Sequence, residues 1–256
     1  MVKIGTCGFS YKDWQGPFYP SGLPPRERIA YYAERFRAVE IDSTYYYIPP
    51  PATLEAMARR AEGRLEFSVK AHRDMTHSRE KYGEALPAFR DCLVPLHEAG
   101  CLACVLVQFP FAFKATPANA DFIRRLPDDL APARVVVEFR HASWITDDTF
   151  RLLTELGLAY CVVDAPRLPN LPPTVVRATA VPAYIRFHGR NAAKWWTHDE
   201  SWERYDYLYS ESELRDWVPH IRDLAGAAGV CFAFFNNHAR GQAVVNATMF
   251  GELLSL

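Results

Sequence analysis

The chain reads as an α/β protein, a single (β/α)8 TIM barrel spanning residues 1–256. Three observations predict this fold. Eight short runs rich in Val, Ile, Phe and Tyr recur; helical patterns with recognisable starts separate most of them; and eight such units in 256 residues match the size of that barrel. A doubly wound open sheet shares the alternation and is the alternative. No linker, low-complexity tract or repeat divides the chain, so one domain is expected.

Taken in order, the strand runs are VKIGTCG, AVEIDST, EFSVKA, CVLVQF, RVVVEFR, YCVVDA, YIRFHG and CFAFFNN. Pro24 and Pro25 precede RERIAYYAERF, Pro51 opens the helix through LEAMARRA, and Ser210-Glu-Ser-Glu precedes LRDWVPHIRDL. Proline at a first helical position and a Ser-x-x-Glu box are both helix-start signals. Between the sixth and seventh strands RLPNLPPTVVRATAVP is rich in proline, which lacks a backbone donor, so the sixth helix is expected to be short or irregular.

Composition excludes several classes. With 49% hydrophobic and 23% charged residues the chain is globular, and a net charge of -1 argues against coating nucleic acid or acidic membranes over a whole surface. VKIGTCG after Met1 is strand-like and not a signal peptide, which makes the cytoplasm the expected compartment. The longest uncharged run, Ala99 to Phe113, is too short for a membrane helix. Cys7, Cys92, Cys101, Cys104, Cys161 and Cys231 sit mostly in apolar runs and read as reduced, buried residues; Cys101 and Cys104 have metal spacing without a second pair. Cys7 ends the first strand, where a thiol could face a pocket.

Alternate residues of a barrel strand face the interior, and active sites lie at the C-terminal strand ends. By that parity Glu40 and Asp42, Ser68, Lys70 and His72, Glu138 and Arg140, and Arg186 and His188 point inward. Gln108, Asp164 and Asn236 occupy the same late position on strands four, six and eight. The competing reading is that Glu40 with Lys70, or Glu138 with Arg186, are packing salt bridges. A whole ring of ionisable groups at the functional end favours ligand handling. EFRHASW places a carboxylate, a guanidinium and an imidazole in Glu138, Arg140 and His141, although His141 equally suits a cap on a nearby helix.

After the seventh strand comes a loop dense in cations and aromatics. From Arg186 to His198 every formal charge is positive, namely Arg186, Arg190 and Lys194, with Trp195 and Trp196 beside them. The segment from Gly189 to Tyr209 is expected to act as a lid, Arg190 closing over an anion held inside by Arg186 while Trp195, Trp196 and Tyr207 cover it. Packing of those aromatics onto neighbouring loops is the plainer alternative.

GTCGFSYKDWQGPFYP, VEIDSTYY, VEFRHASW, RFHGR, YDYLYSESELRDW and FNNHARGQAVVNA, in this order, resemble the YecE-like family, catalogued as a domain of unknown function. The resemblance covers nearly the whole chain and implies a TIM barrel, with no activity attached. Cys7 and Phe9 stand where many relatives have Ser and Trp, and Ala142 where Pro is frequent, which weakens a nucleophilic role for Cys7.

Two function classes fit these residues. In the first, an enzyme of hydrolase or lyase type performs acid/base chemistry on a small phosphate- or carboxylate-bearing ligand. Glu138, His141, Asp164 and His188 are its proton-moving candidates. Glu40, Asp42, Lys70, Gln108, Arg140, Arg186, Arg190, Trp195, Tyr207, Asn236 and Asn237 are its binding candidates. A Schiff base at Lys70 is conceivable, but carboxylate neighbours are expected to keep the amine charged. In the second, a nucleic-acid-binding barrel resembles endonuclease IV in fold, though the carboxylates and histidines for trinuclear zinc chemistry are too few. A non-catalytic small-ligand sensor would use the same mouth. No obligatory metal or cofactor is expected.

Overall fold

The computed structural model describes residues 1–255. Eight parallel strands, β1 (Val2–Thr6), β2 (Ala38–Ile41), β3 (Glu66–Lys70), β4 (Leu102–Gln108), β5 (Val135–Glu138), β6 (Ala159–Asp164), β7 (Ala183–Phe187) and β8 (Cys231–Phe235), follow one another around a barrel. Among the described residues nine α-helices lie between or after them, with short 3-10 turns besides: α1 (Arg28–Ala33), α2 (Pro51–Ala61), α3 (Arg73–Thr76), α4 (Tyr82–Glu98), α5 (Pro117–Asp129), α6 (Asp147–Glu155), α7 (Glu211–Arg215), α8 (Trp217–Ala228) and α9 (Gln242–Leu254).

Local signals account for many of the helix starts. Pro51 and Pro117 occupy first-turn positions where a missing N–H costs nothing. Thr116 and Thr146 accept the N–H groups of Asn119 and Thr149, and Ser210 with Glu213 forms a reciprocal capping box at α7. Between β6 and β7 the described residues form no helix at all. Pro166, Pro169, Pro172 and Pro173 interrupt it, and Thr179 instead uses its hydroxyl to join the Leu158 carbonyl to the Tyr160 N–H.

Closure between β1 and β2 depends on two particular residues. The strands pair at their ends, where Cys7 bridges Glu40 and the Gly8 N–H reaches the Glu40 carbonyl at 2.8 Å. Below that the Tyr32 hydroxyl of α1 links the strands in place of a direct hydrogen bond, accepting from the Thr6 N–H at 2.8 Å and donating to the Ala38 carbonyl at 3.1 Å. Gly5 permits this approach, since a Cβ there would stand 2.0 Å from the Ala38 oxygen.

The core has two parts. Outward residues such as Val39, Phe67, Val107, Phe139, Val162, Ile185 and Phe235 pack beneath the helices. Inside the barrel Cys7, Cys104, Leu106, Val136, Cys161, Tyr184 and Phe234 form a dry plug. Above that plug the inward positions turn polar. All six cysteines are free and buried, and Cys101 and Cys104 satisfy separate partners, the Leu96 carbonyl and the Ser68 hydroxyl. Among the described residues no helix is long and apolar enough to cross a membrane.

Candidate functional site

Immediately above the apolar plug lies a layer of mutually satisfied charge. Arg186 is 2% exposed and donates to Glu40 Oε1 and Glu138 Oε2, both at 2.7 Å. Tyr184 donates to Glu40 Oε2 at 2.7 Å, and Glu138 Oε1 receives Arg140 Nε at 2.5 Å and His188 Nε2 at 3.1 Å. All four carboxylate oxygens are therefore occupied. Burial pushes the Glu138 carboxyl up, but Arg140, Arg186 and His188 outweigh it and hold it well below the usual carboxylate range.

His188 is fully buried between Glu138 and Asn236, whose Nδ2 lies 2.9 Å from its Nδ1. Burial and Arg140 depress it to about 3 against the opposing pull of Glu138, so the ring is neutral near pH 7. Donation from Nε2 to Glu138 and acceptance at Nδ1 from Asn236 uses both nitrogens. Cys7 lies under Arg186, 3.4 Å from Nη2 and with no exposed surface, and burial keeps its thiol well above the usual range. It does not line the cavity.

The cavity itself opens over this layer with a volume of about 360 Å³. Its floor and walls include Asp42, Lys70, Gln108, Arg140, Arg186 and Asn236 from the inward and late strand positions, and Trp195 from the loop after β7. Trp196, expected with Trp195 to cover a ligand, also lines it, and residues that sequence reasoning gave no binding role complete it: Tyr45, His77, Phe111, Arg204, Tyr205 and His238. Burial, Lys70 and Arg140 lower His77 to about 4. His238 stacks on Tyr11 with ring centroids 4.5 Å apart, and Trp14 Nε1 holds its carbonyl at 2.8 Å.

Neither the Lys70 amine nor the Tyr205 hydroxyl, both in the cavity lining, has a hydrogen-bond partner among the described residues. The Lys70 ammonium instead lies 4.4 Å from the centre of the Tyr45 ring. Burial and Arg186 lower it, with Glu40, Tyr205 and Glu138 opposing. Burial alone would raise the Tyr205 hydroxyl, yet Arg140, Arg204, Lys70 and Arg186 bring it below the ordinary tyrosine value.

Several candidates lie elsewhere. Asp164 sits one residue off the inward parity of β6, where Cys161 and Val163 point into the barrel, and faces the helix layer. There it accepts Arg190 at 2.9 and 2.6 Å, the Tyr209 hydroxyl at 2.8 Å and Trp217 Nε1 at 2.9 Å. Gly189, at φ +84°, turns the chain so that Arg190 leaves the barrel axis, and a Cβ there would meet Tyr207 at 2.7 Å. Arg190 also reaches Glu213 at 3.0 Å, and Tyr207 donates to the same Glu213 oxygen. Arg186 and Arg190 thus have separate carboxylate partners and do not converge on one cavity. Asn237 faces α9, donating to Asn246 Oδ1 at 2.8 Å. His141 caps the turn Ala142–Trp144, accepting the Ser143 N–H at 3.1 Å.

The loop after β7 reaches the cavity through Trp195, Trp196, Ser201, Arg204 and Tyr205. It is tied to itself: Asn191 donates to the Glu203 and Asp206 carbonyls, and Lys194 pairs with Glu203 at 2.7 Å. Trp195 is 2% exposed and forms part of the wall, while Trp196 is 51% exposed and packs edge-on against Phe111. Among the described residues no group of three or more His, Cys, Asp or Glu side chains is placed to hold a metal ion.

Comparison with known proteins adds a family and a fold. The family described as "Protein of unknown function DUF72" matches residues 3–256. The UPF0759 protein YunF of Bacillus subtilis (strain 168) is 31% identical over 272 residues, covering all of this chain and 95% of that protein. A solved DUF72 family structure from Thermotoga maritima MSB8 is 38% identical with a TM-score of 0.91, covering all of both chains. One from Enterococcus faecalis V583 is 26% identical, with a TM-score of 0.88 over all of this chain and 96% of the other. SacUVDE, 9% identical with a TM-score of 0.58 over 100% and 98% of the two chains, shares the fold alone.

Proposed function

The chain belongs to the DUF72 family, and from that premise we propose that its barrel mouth binds a small phosphate- or carboxylate-bearing compound and performs acid/base chemistry on it. One observation carries the reading. Arg140 and Arg204 present guanidinium groups to a cavity in which Asp42 is the one carboxylate among the described lining residues. The other nearby carboxylates, Glu40 and Glu138, are fully occupied beneath. A desolvated cleft with an excess of one charge attracts and holds the opposite charge.

Roles follow from what each group has free. Arg140 uses only Nε for Glu138, which leaves its terminal nitrogens to grip a carboxylate or phosphate as a fork. Tyr205 and His77 have lowered proton affinity and line the same cavity, so they supply the acid/base function. Glu138 and His188, whose hydrogen-bonding capacity is spent, orient Arg140 and Arg186 instead of moving protons. A volume of about 360 Å³ lies at the small end of ligand sites, which suits a metabolite-sized anion.

Thermal melting in phosphate, sulfate and small carboxylates tests this. At an anion concentration near 100 times Kd the wild type gains about 2.7 kcal/mol, a rise of roughly 5–10 °C. Arg140→Gln reduces that rise, whereas Arg190→Ala lowers the starting Tm and keeps the rise. A wild-type melt indifferent to every anion overturns the proposal.

A further inference from the structure

Neither carboxylate of the buried layer is available to Lys70. Glu40 and Glu138 have no oxygen left, because Arg186, Tyr184, Arg140 and His188 take all four. Lys70 ends β3 with its amine in the cavity, an aromatic face at 4.4 Å on one side and the Arg186 guanidinium among its neighbours. The reason for expecting a permanently charged ammonium, a carboxylate partner, is therefore absent. Burial and a like charge both favour the neutral amine, the form that is a nucleophile.

We propose that Lys70 is a covalent site that forms an imine with a small aldehyde or ketone carrying a carboxylate or phosphate. This rests on the anion-binding reading of the mouth and names its substrate class. The anionic group sits on Arg140 and Arg204, and the carbonyl carbon is presented to Lys70 Nζ. The nitrogen lone pair forms the C–N bond while the C=O π bond breaks toward oxygen, which takes the proton of the Tyr205 hydroxyl. The phenolate is stabilised by the surrounding cations and recovers a proton from the now cationic nitrogen of the adduct. Loss of the hydroxyl with a second proton as water leaves C=N. Amine and carbonyl give imine and water, with no oxidant or reductant. The imine then draws electrons from the adjacent carbon, the chemistry of a lyase or an isomerase of carbonyl compounds.

The test is reductive trapping on the full chain. Pyruvate and dihydroxyacetone phosphate are incubated with the protein and sodium cyanoborohydride. Lactate and glycerol 3-phosphate serve as anions without a carbonyl, and acetone as a carbonyl without an anion. Peptide mapping then reads each of the six lysines, Lys3, Lys12, Lys70, Lys81, Lys114 and Lys194. The expected result is a reduced adduct on Lys70 formed on the order of tenfold faster than on exposed Lys12 and Lys81, the ratio that tenfold more neutral amine gives. It is absent with lactate, weak with acetone and slowed by added phosphate. Tyr205→Phe slows trapping while the melt still responds to phosphate. Lys70→Arg, whose guanidinium is not a nucleophile, abolishes the adduct, while phosphate still raises its Tm through Arg140 and Arg204. Equal labelling across the lysines, or an unchanged labelling pattern in Lys70→Arg, overturns the proposal. If phosphate stabilises the wild type and no carbonyl probe is trapped at Lys70, the imine is refuted and the anion site stands. If phosphate also has no effect, the anion site falls with it.

Discussion

Removing Arg186 while keeping its length of chain, as Arg186→Met, isolates the energetic role of the charge layer. Arg186 is the one side chain that touches both Glu40 and Glu138, and those carboxylates have no exposed surface. Glu138 retains Arg140 and His188, whereas Glu40 keeps only the Tyr184 hydroxyl. Stripping one partner from a buried ion pair costs about 3–5 kcal/mol, because the survivor is left desolvated and uncompensated. At this chain length, that corresponds to a Tm lower by roughly 6–20 °C. The cost also has a pH signature. A buried carboxylate without a counter-charge is relieved by protonation, so the difference between wild type and variant shrinks as pH falls from 7. The wild type loses stability only at lower pH, and for the opposite reason. Its Glu138 is held well below the ordinary carboxylate value, so its contribution is complete above the unfolded-state value of about 4.3 and fades as pH falls through the depressed folded-state value. Urea unfolding at several pH values measures both effects. A cost below about 1 kcal/mol at pH 7, or one that does not change with pH, would refute the view that Arg186 neutralises this layer.

Two further substitutions separate framework from mouth. Asp164→Ala strands the Tyr209 hydroxyl as a donor and Trp217 Nε1 and leaves Arg190 with Glu213 alone, and about 3 kcal/mol of stability is lost. Anion stabilisation survives in this variant; its disappearance in a folded protein would put Asp164 back in the site. Gly5→Ala drives a methyl into the Ala38 carbonyl, and its cost lies at or above the ~3 kcal/mol end of overpacking. Gly251→Ala in α9, whose nearest atom would be Ile4 Cδ1 at 3.9 Å, is neutral or stabilising by up to ~1 kcal/mol. Equal melting temperatures for the two glycine variants would show that β1 and β2 do not need the close approach.

Much of the arrangement was legible because it depends on periods that the sequence states directly. Alternation of strand and helix named the barrel, and period-two alternation on β2, β3, β5 and β7 placed Asp42, Lys70, Arg140, Arg186 and His188 inward. The same rule, applied with care, excludes Asp164: its position on β6 has the parity of Val162, an outward core residue, not of Cys161. Asn237, next to inward Asn236, fails for the same reason. In the loop beyond β7 no period operates. Tyr207 and Tyr205 look interchangeable in RYDYLY, yet one meets Glu213 outside and the other lines the cavity.

What the sequence alone determined is therefore the barrel, its direction and the inventory of charge at the open end, because strand parity and helix punctuation are local properties of the chain. Only the tertiary structure decided which charges are spent and which are free. Arg186 takes Glu40 and Glu138 from strands far away in sequence, and Asp164 takes Arg190. Lys70 is consequently left without a carboxylate. Hydrogen bonding and Coulomb attraction act through space over a few ångströms, so the pairing of these groups follows from closure of the barrel and not from their order along it.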